Sequence, residues 1–168
     1  NPMQLRSYQT KAIEDLRHSF RKQGKKSPVL VMPTAAGKTV VFASISKALS
    51  NRSKNVLILV HRKELIDQAS DKLTLIGVDH GIIANGYESK ENNIQVASVQ
   101  TLVRRMHLLN YKPDYIIIDE AHHAAAGTWQ KIINFYNKSF KIGCTATPER
   151  HDGKGLGDYF DDLVLGPD

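Results

Sequence analysis

The 168 residues include 23 Lys and Arg against 17 Asp and Glu, a net charge of +6, and 41% of them are hydrophobic. This balance fits one globular domain with a sizeable core, and no apolar run is long enough to span a membrane. A single cysteine, Cys144, excludes a disulfide framework, and the neighbouring His122 and His123 lack cysteine partners at zinc-ligand spacing. The basic excess favours a polyanionic partner such as nucleic acid.

Strands and helices are predicted to alternate along the chain. Apolar residues at helical spacing predict a helix over residues 4–23, and the apolar run 29–32 predicts a buried strand followed by a helix over 37–49. The remaining predicted strands are 56–60, 81–84, 94–97, 115–118 and 140–144, and the remaining predicted helices are 61–76, 100–109 and 121–137, the last broken near Gly127. This alternation predicts an open α/β fold with a mostly parallel sheet and helices on both faces, in which ligands bind at the carboxyl ends of the strands. Cys144 is predicted to be a small buried hydrophobic residue at one such end.

The stretch 29–39 is typical of a phosphate-binding loop. An apolar strand ends in small residues and continues as Gly37-Lys38-Thr39 into a helix, whose N-terminus would face the phosphates. Lys38 is predicted to reach the β- and γ-phosphates, and the Thr39 hydroxyl to hold Mg²⁺. Met32 stands where the full P-loop pattern has its first glycine, and an ordinary strand-to-helix turn is the alternative interpretation.

Asp119 and Glu120 follow the apolar run 115–118 directly. A carboxylate at the end of a buried strand is costly without a partner, and Mg²⁺ supplies one. Asp119 is predicted to hold the metal, usually through water, and Glu120 to orient the attacking water as general base. The alternative is a helix N-terminus, where acidic residues are favoured for their charge.

The string Asp119-Glu120-Ala121-His122 resembles the signature of the DEAH-type superfamily 2 helicases and translocases, and the resemblance covers nearly the whole chain. Residues 33–39 resemble motif I of that family, in which Pro-Thr-Gly-x-Gly-Lys-Thr is usual. The resemblance implies a RecA-like P-loop NTPase domain that uses ATP and Mg²⁺. The residues it places at the nucleotide in this loop are Pro33, Thr34, Ala35, Ala36, Gly37, Lys38 and Thr39. Ala35 replaces the usual glycine, and alanine resists a positive φ.

Three further stretches resemble motifs of the same family. Residues 5–9 are similar to its glutamine motif, which implies that Gln9 reads the adenine edge and that Arg6 assists at the base or ribose. Residues 60–65 resemble motif Ia, which implies that Arg62 holds a nucleic-acid phosphate. Residues 98–102 are similar to a later strand-contacting motif and imply backbone contacts from Gln100 and Thr101. A polar helix start is the alternative for the first stretch, and a solvated charged face is the alternative for the second.

Residues 145–150, Thr-Ala-Thr-Pro-Glu-Arg, resemble motif III, which implies that Thr145 and Thr147 couple the nucleotide site to the nucleic-acid site. His122 would sense the nucleotide state near the γ-phosphate. With Asp152-Gly153 after it, this string is most similar to the branch of restriction-enzyme motor subunits and DNA-repair helicases. The single cysteine favours an intracellular setting. A cytoplasmic location, bacterial or phage-like, is predicted rather than a nuclear one.

The resemblance implies that residues 1–168 are the first RecA-like lobe of an ATP-dependent DNA helicase or translocase, a nucleic-acid-dependent ATPase. The second lobe and its arginine fingers are absent from this chain, so poor hydrolysis is expected from the lobe alone. The implied partners are nucleic acid, DNA rather than RNA, and the second lobe, with no membrane. Two alternatives stay open, an RNA helicase lobe and a non-hydrolysing clamp that uses ATP as a switch. A small-molecule kinase conflicts with the Asp-Glu-Ala-His and Thr-Ala-Thr-Pro strings.

Overall fold

A computed structural model of the chain describes residues 28–31, 35–61, 63–119, 127–145 and 162–165. The strands are β1 Pro28–Val31, β2 Val56–Val60, β3 Gly81–Ile83, β4 Ile94–Ser98, β5 Tyr115–Asp119, β6 Phe140–Thr145 and β7 Asp162–Leu165. The helices are α1 Ala35–Ser50, α2 Lys63–Leu75, α3 Val99–Arg105 and α4 Gly127–Phe135, and the 3₁₀ turn Met106–Leu108 follows α3. The predicted helix over 4–23 lies outside the described residues.

The strands form one sheet in the order β3-β4-β2-β5-β6-β1-β7. Every strand pairing among the described residues is parallel. Parallel neighbours require crossover connections, and helices supply them after β1, β2, β4 and β5. The predicted α/β fold with a mostly parallel sheet is therefore confirmed.

Side chains on the two faces of the sheet enter two separate hydrophobic cores. All five residues of β2 are buried, which explains why its sequence is continuously apolar rather than alternating. Ile58 and Ile117 pack with α1 and α2, whereas Leu57 and Ile116 pack with α3 and α4. Helices therefore cover both faces, as predicted, and Cys144 is buried in the first core, also as predicted.

Helix boundaries differ from the predicted ones where local residue preferences outweigh the motif pattern. Helix α1 begins at Ala35 rather than at Gly37, because alanine has the highest helix propensity of all residues. Ser53 is the non-glycine residue with positive φ in the described part of the chain, so the helical Ala35 carries no strain of that kind. Helix α2 ends before Gly77, whose φ of +80° suits a glycine after a helix.

Two other elements were predicted incompletely. The helix expected over 100–109 is α-helical only to Arg105 and then tightens into the 3₁₀ turn. Strand β7 was missed, because four residues in a tail rich in glycine and aspartate give little periodic signal. It pairs in parallel with β1 and forms an edge of the sheet.

Among the helices of the described residues, none combines the length and the apolar character needed to cross a bilayer.

Candidate functional site

The predicted site residues follow strands that end at the same edge of the sheet, because all these strands run in parallel. The register pairs Val60 with Ser98, Asp119 with Cys144, and Thr145 with Val31. Strand β6 lies between β5 and β1, and neighbouring strands are about 4.8 Å apart. The ends of β5 and β1 are therefore separated by roughly 10 Å. An anionic group together with a bound cation fits within that distance.

Helix α1 presents its N-terminus at this edge. It begins at Ala35, shortly after β1 ends at Val31, and its first turn contains no acidic residue. The first four N–H groups of a helix have no partner inside the helix, and they carry a partial positive charge. Because its own first turn carries no carboxylate to compensate that charge, this terminus suits an anion such as a phosphate. Lys38 and Thr39 belong to the first helical turns.

Asp119 is the last residue of β5, two strands away from that helix. Its side chain is 3% exposed, and the three residues before it are fully buried isoleucines. Moving a charged group from water into a protein interior costs roughly several kcal/mol. Ion pairing or hydrogen bonds must offset that cost for a buried carboxylate. A carboxylate held here suits a hard cation that prefers oxygen ligands.

The turn from β4 into α3 carries two of the residues predicted to contact nucleic acid. Ser98 caps α3: its Oγ accepts a hydrogen bond from the Thr101 N–H at 3.2 Å, and its hydroxyl donates to Thr101 Oγ1 at 3.2 Å. Thr101 is buried, whereas Gln100 is exposed. In this structure Gln100 is thus the accessible member of the pair, and Thr101 holds the turn together.

An aromatic cluster at the same edge was missed by the sequence reasoning. The His61 ring, just after β2, stacks on Trp129 of α4 with 6.5 Å between ring centroids. The Lys63 ammonium lies 5.8 Å from the centre of the Tyr87 ring, and the Tyr87 hydroxyl donates to Asp67 at 2.5 Å. That hydrogen bond raises the pKa of Tyr87 above its ordinary value. The sequence signal nearby is the pair Asn85-Gly86, which is typical of a turn, and the structure has a turn there with Gly86 at a φ of +88°.

Several predicted site residues lie outside the described part of the chain, and their roles stay predictions. These are Arg6, Gln9, Pro33, Thr34, Arg62, Glu120, His122 and Thr147. Thr145 ends β6 beside Val31, so its backbone adjoins the strand that leads into the predicted phosphate loop.

Comparison with known proteins identifies a family and several relatives. The family model described as type III restriction enzyme, res subunit, matches residues 2–150. The chain is 38% identical over 134 residues to a 51.5 kDa protein of a Lactococcus phage, covering 80% of this chain and 27% of that protein. It is 37% identical over 178 residues to IRC3 of Saccharomyces cerevisiae, a candidate ATP-dependent helicase, covering 95% of this chain and 26% of that protein. It is 32% identical over 153 residues to the DNA 3'-5' translocase XPB2 of Sulfurisphaera tokodaii, covering 90% and 33%.

This chain therefore spans about a quarter to a third of the length of the curated relatives it matches. Among solved structures, the UvsW helicase of bacteriophage T4 matches with a TM-score of 0.77 at 19% identity, covering 97% of this chain and 60% of that one. The restriction-modification enzyme LlaGI matches with a TM-score of 0.73 at 20% identity, covering 98% and 20%. At such low identity these matches show the fold alone, and they confirm the predicted RecA-like architecture. With nearly nine-tenths of its length matched, the chain belongs to the family of the type III restriction enzyme res subunit, within the superfamily 2 helicases.

Proposed function

We propose that this chain is the ATP-binding lobe of an ATP-dependent DNA helicase or translocase. One observation carries the proposal: a single sheet edge presents both the N-terminus of α1, whose first turn has no acidic residue, and the buried Asp119, two strands apart. A positive helix end beside a carboxylate suits a polyphosphate with its metal ion. The relatives support DNA as the polymer and ATP as the nucleotide, since one is named a DNA 3'-5' translocase and another a candidate ATP-dependent helicase.

In this proposal the first turn of α1 and the Lys38 ammonium hold the phosphates of ATP. Residues 33–37, which include the start of that helix, would contact the phosphates with their backbone. Gln9 and Arg6 would recognise the adenosine end of ATP. These roles follow the family resemblance of residues 5–9 and 33–39. The helical start at Ala35 supports them, because it brings free N–H groups to the carboxyl edge two residues earlier than the motif alone predicts.

The residues at this edge also fit Mg²⁺. The Asp119 carboxylate, with the Thr39 hydroxyl, would supply the hard oxygen ligands that Mg²⁺ prefers. Mg²⁺, when bound, neutralises charge on the β- and γ-phosphates. Glu120, next along the chain, would accept a proton from the attacking water, and His122 would sense whether the γ-phosphate is present.

Nucleic acid would lie along the same edge, beyond the nucleotide. Arg62, which precedes α2 in the sequence, and the exposed Gln100 would contact its backbone, which positions a strand without reading its sequence. Thr101, held by Ser98, would keep Gln100 in place. Thr145 and Thr147 would couple this contact to the nucleotide site. A second RecA-like lobe, elsewhere in a longer protein in an intracellular setting, would close over ATP.

The test is the steady-state ATPase activity of the longer protein that carries this lobe, measured alone and with single-stranded DNA, duplex DNA or RNA. We expect DNA to stimulate turnover and a Glu120→Gln variant to remove the stimulation while ATP still binds. Stimulation by RNA alone would replace the proposal with an RNA helicase lobe. If the protein binds ATP but no polymer stimulates its hydrolysis, the proposal is replaced by a nucleic-acid clamp that uses ATP as a switch.

A further inference from the structure

A second cleft lies at the opposite, amino-terminal edge of the sheet. It has a volume of about 510 Å³ and is bordered by the chain just before β2, β5 and β6 and by the end of α4. Its volume is within the range of ligand sites, and its lining combines aromatic and lysine side chains. None of the site residues predicted from the sequence lines it.

Hydrogen bonds between loops hold the floor of this cleft in place. Asp114 is central: its N–H donates to the Asn55 carbonyl at 2.8 Å, and its carboxylate accepts from the Asn55 N–H at 2.8 Å. The Phe140 N–H donates to the Asp114 carbonyl at 2.9 Å, and the Ser139 hydroxyl donates to the Pro113 carbonyl at 2.6 Å. The cleft is therefore preformed by three connected segments rather than by one free loop.

The aromatic side chains of the cleft are arranged with one ring partly open to solvent. Phe135, the last residue of α4, is 49% exposed, and its ring meets the Tyr136 ring edge-on at 4.9 Å. Tyr115 stacks on Phe140 at 5.3 Å deeper in the floor. A half-exposed phenylalanine supported from behind by a buried ring is the kind of platform on which a nucleobase stacks.

The charge around this platform is positive. Lys54, Lys112 and Lys138 are exposed on the lining, and none of them forms a salt bridge within the described ranges. Asp114 is the acidic side chain of the lining, and its carboxylate already accepts the Asn55 N–H. Tyr111, Tyr115 and Tyr136 are neutral near pH 7 and add no negative charge, and burial raises the pKa of each further above its ordinary value.

We propose that this amino-edge cleft binds single-stranded nucleic acid, with a base stacked on Phe135 and phosphates held by Lys112 and Lys138. Each nucleotide offers a planar face beside a phosphate, which matches an exposed phenylalanine ring in a cleft that lysines also line. An acidic peptide would offer a planar ring beside a negative charge only where its sequence places an aromatic residue next to carboxylates. The site lies across the sheet from the carboxyl edge and needs no ATP, so it would be a second contact beyond the proposed function.

The experiment measures binding of fluorescein-labelled oligothymidylate to the chain without ATP, by fluorescence anisotropy over a range of salt concentrations. Phe135→Ala is expected to weaken binding by about 5- to 150-fold, as for loss of one stacked base. Lys112→Ala and Lys138→Ala are each expected to reduce the slope of log K against log salt by about 0.7, as for one lost phosphate contact on a single strand. Leu75→Ala is the matched control, exposed at the end of α2, which packs on the other face of the sheet, and should change neither quantity.

Photo-crosslinking with an oligonucleotide that carries 5-iodouracil identifies the edge that the strand contacts. Crosslinks within residues 106–115 or 135–140 would support the proposal. Crosslinks confined to the carboxyl edge, with unchanged affinity in the Phe135 and lysine variants, would overturn it. Binding of a labelled acidic peptide of alternating glutamate and tyrosine that Phe135→Ala abolishes, without DNA binding, would overturn it in favour of an acidic protein partner. Because ATP is absent, none of these outcomes depends on the ATPase test of the proposed function.

Discussion

Two aspartates lie at opposite ends of β5, and comparing variants of the two distinguishes a role in activity from a role in stability. Asp119 is buried at the carboxyl end, whereas Asp114 precedes the strand at the amino end and accepts the Asn55 N–H. Asp119→Asn keeps the shape of the side chain but removes its charge. We expect it to reduce DNA-stimulated ATPase turnover of the longer protein by about 100-fold or more, on the scale of other lost electrostatic contacts in active sites.

Asp114→Asn is the matched control, because an asparagine oxygen can still accept from the Asn55 N–H. It should retain activity and a normal far-ultraviolet circular dichroism spectrum. Equal activity of the two variants would remove Asp119 from the proposed metal site. A loss of folded signal specific to Asp119→Asn would make the carboxylate a structural group instead.

For individual residues, the sequence predicts the place in a strand or helix better than it predicts the surroundings of the side chain. Asp119 could be predicted because a run of isoleucines ends abruptly in a carboxylate. The burial of Thr101 could not, since it depends on how α3 packs in the folded chain. The His61–Trp129 stack joins residues far apart in the chain, and no local pattern reveals it.

The helices of this fold depend on short terminal contacts, and α3 provides the clearest test. Its seven residues gain one end contact from Ser98, whose Oγ accepts the Thr101 N–H. Ser98→Ala is expected to reduce the free energy of unfolding by about 0.5–2 kcal/mol, the usual cost of losing an N-cap. The measurement is the midpoint of urea unfolding, followed by circular dichroism.

Ser98→Asp is the control for this prediction, because aspartate caps a helix about as well as serine. It should recover most of the lost stability. If Ser98→Ala and Ser98→Asp unfold at the same midpoint, the cap contributes nothing to the stability of α3.

Strand β3 is held closely against its neighbour at Gly81. A Cβ built there would overlap the Lys90 carbonyl oxygen and lie 2.5 Å from Gln95 Oε1. The Gln95 Nε2 donates to that carbonyl at 2.8 Å, so the contact has little room to relax. Gly81→Ala is therefore expected to lower the free energy of unfolding by about 1–3 kcal/mol, as for other overpacked sites.

Gly127→Ala is the comparison for Gly81→Ala, since nothing lies within 4 Å of a Cβ added at the start of α4. Its effect on the unfolding midpoint should stay within about 0.5 kcal/mol. A larger loss from Gly127→Ala than from Gly81→Ala would contradict the packing argument at β3.

Element boundaries show why local patterns stop short of the structure. The strands were predicted well, because residues covered on both faces read as unbroken apolar runs. The start of α1 was wrong by two residues, because the family pattern assigns Ala35 and Ala36 to a loop while their propensity favours helix. The missed β7 exists through its pairing with β1, a contact across more than 100 residues that no short window contains.

On the scale of the whole molecule, one sheet serves as the shared wall of two cores. Adjacent residues of β5, Ile116 and Ile117, are fully buried and point into different cores. Trp129 is the single tryptophan of the chain and lies in the core of Ile116, so its fluorescence reports on one side of the sheet. This arrangement allows the same substitution to be made on both sides of one strand.

We expect Ile116→Val and Ile117→Val each to lower the free energy of unfolding by about 0.5–1.5 kcal/mol, the usual cost of one buried methyl group. Both should shift the Trp129 fluorescence transition and the circular dichroism transition together in urea, because neither core can lose its helices while the sheet between them stays ordered. If the two cores unfolded independently, Ile117→Val would leave the fluorescence midpoint unchanged while moving the circular dichroism curve. Coincident shifts from both variants would mean that the two cores unfold as one cooperative unit.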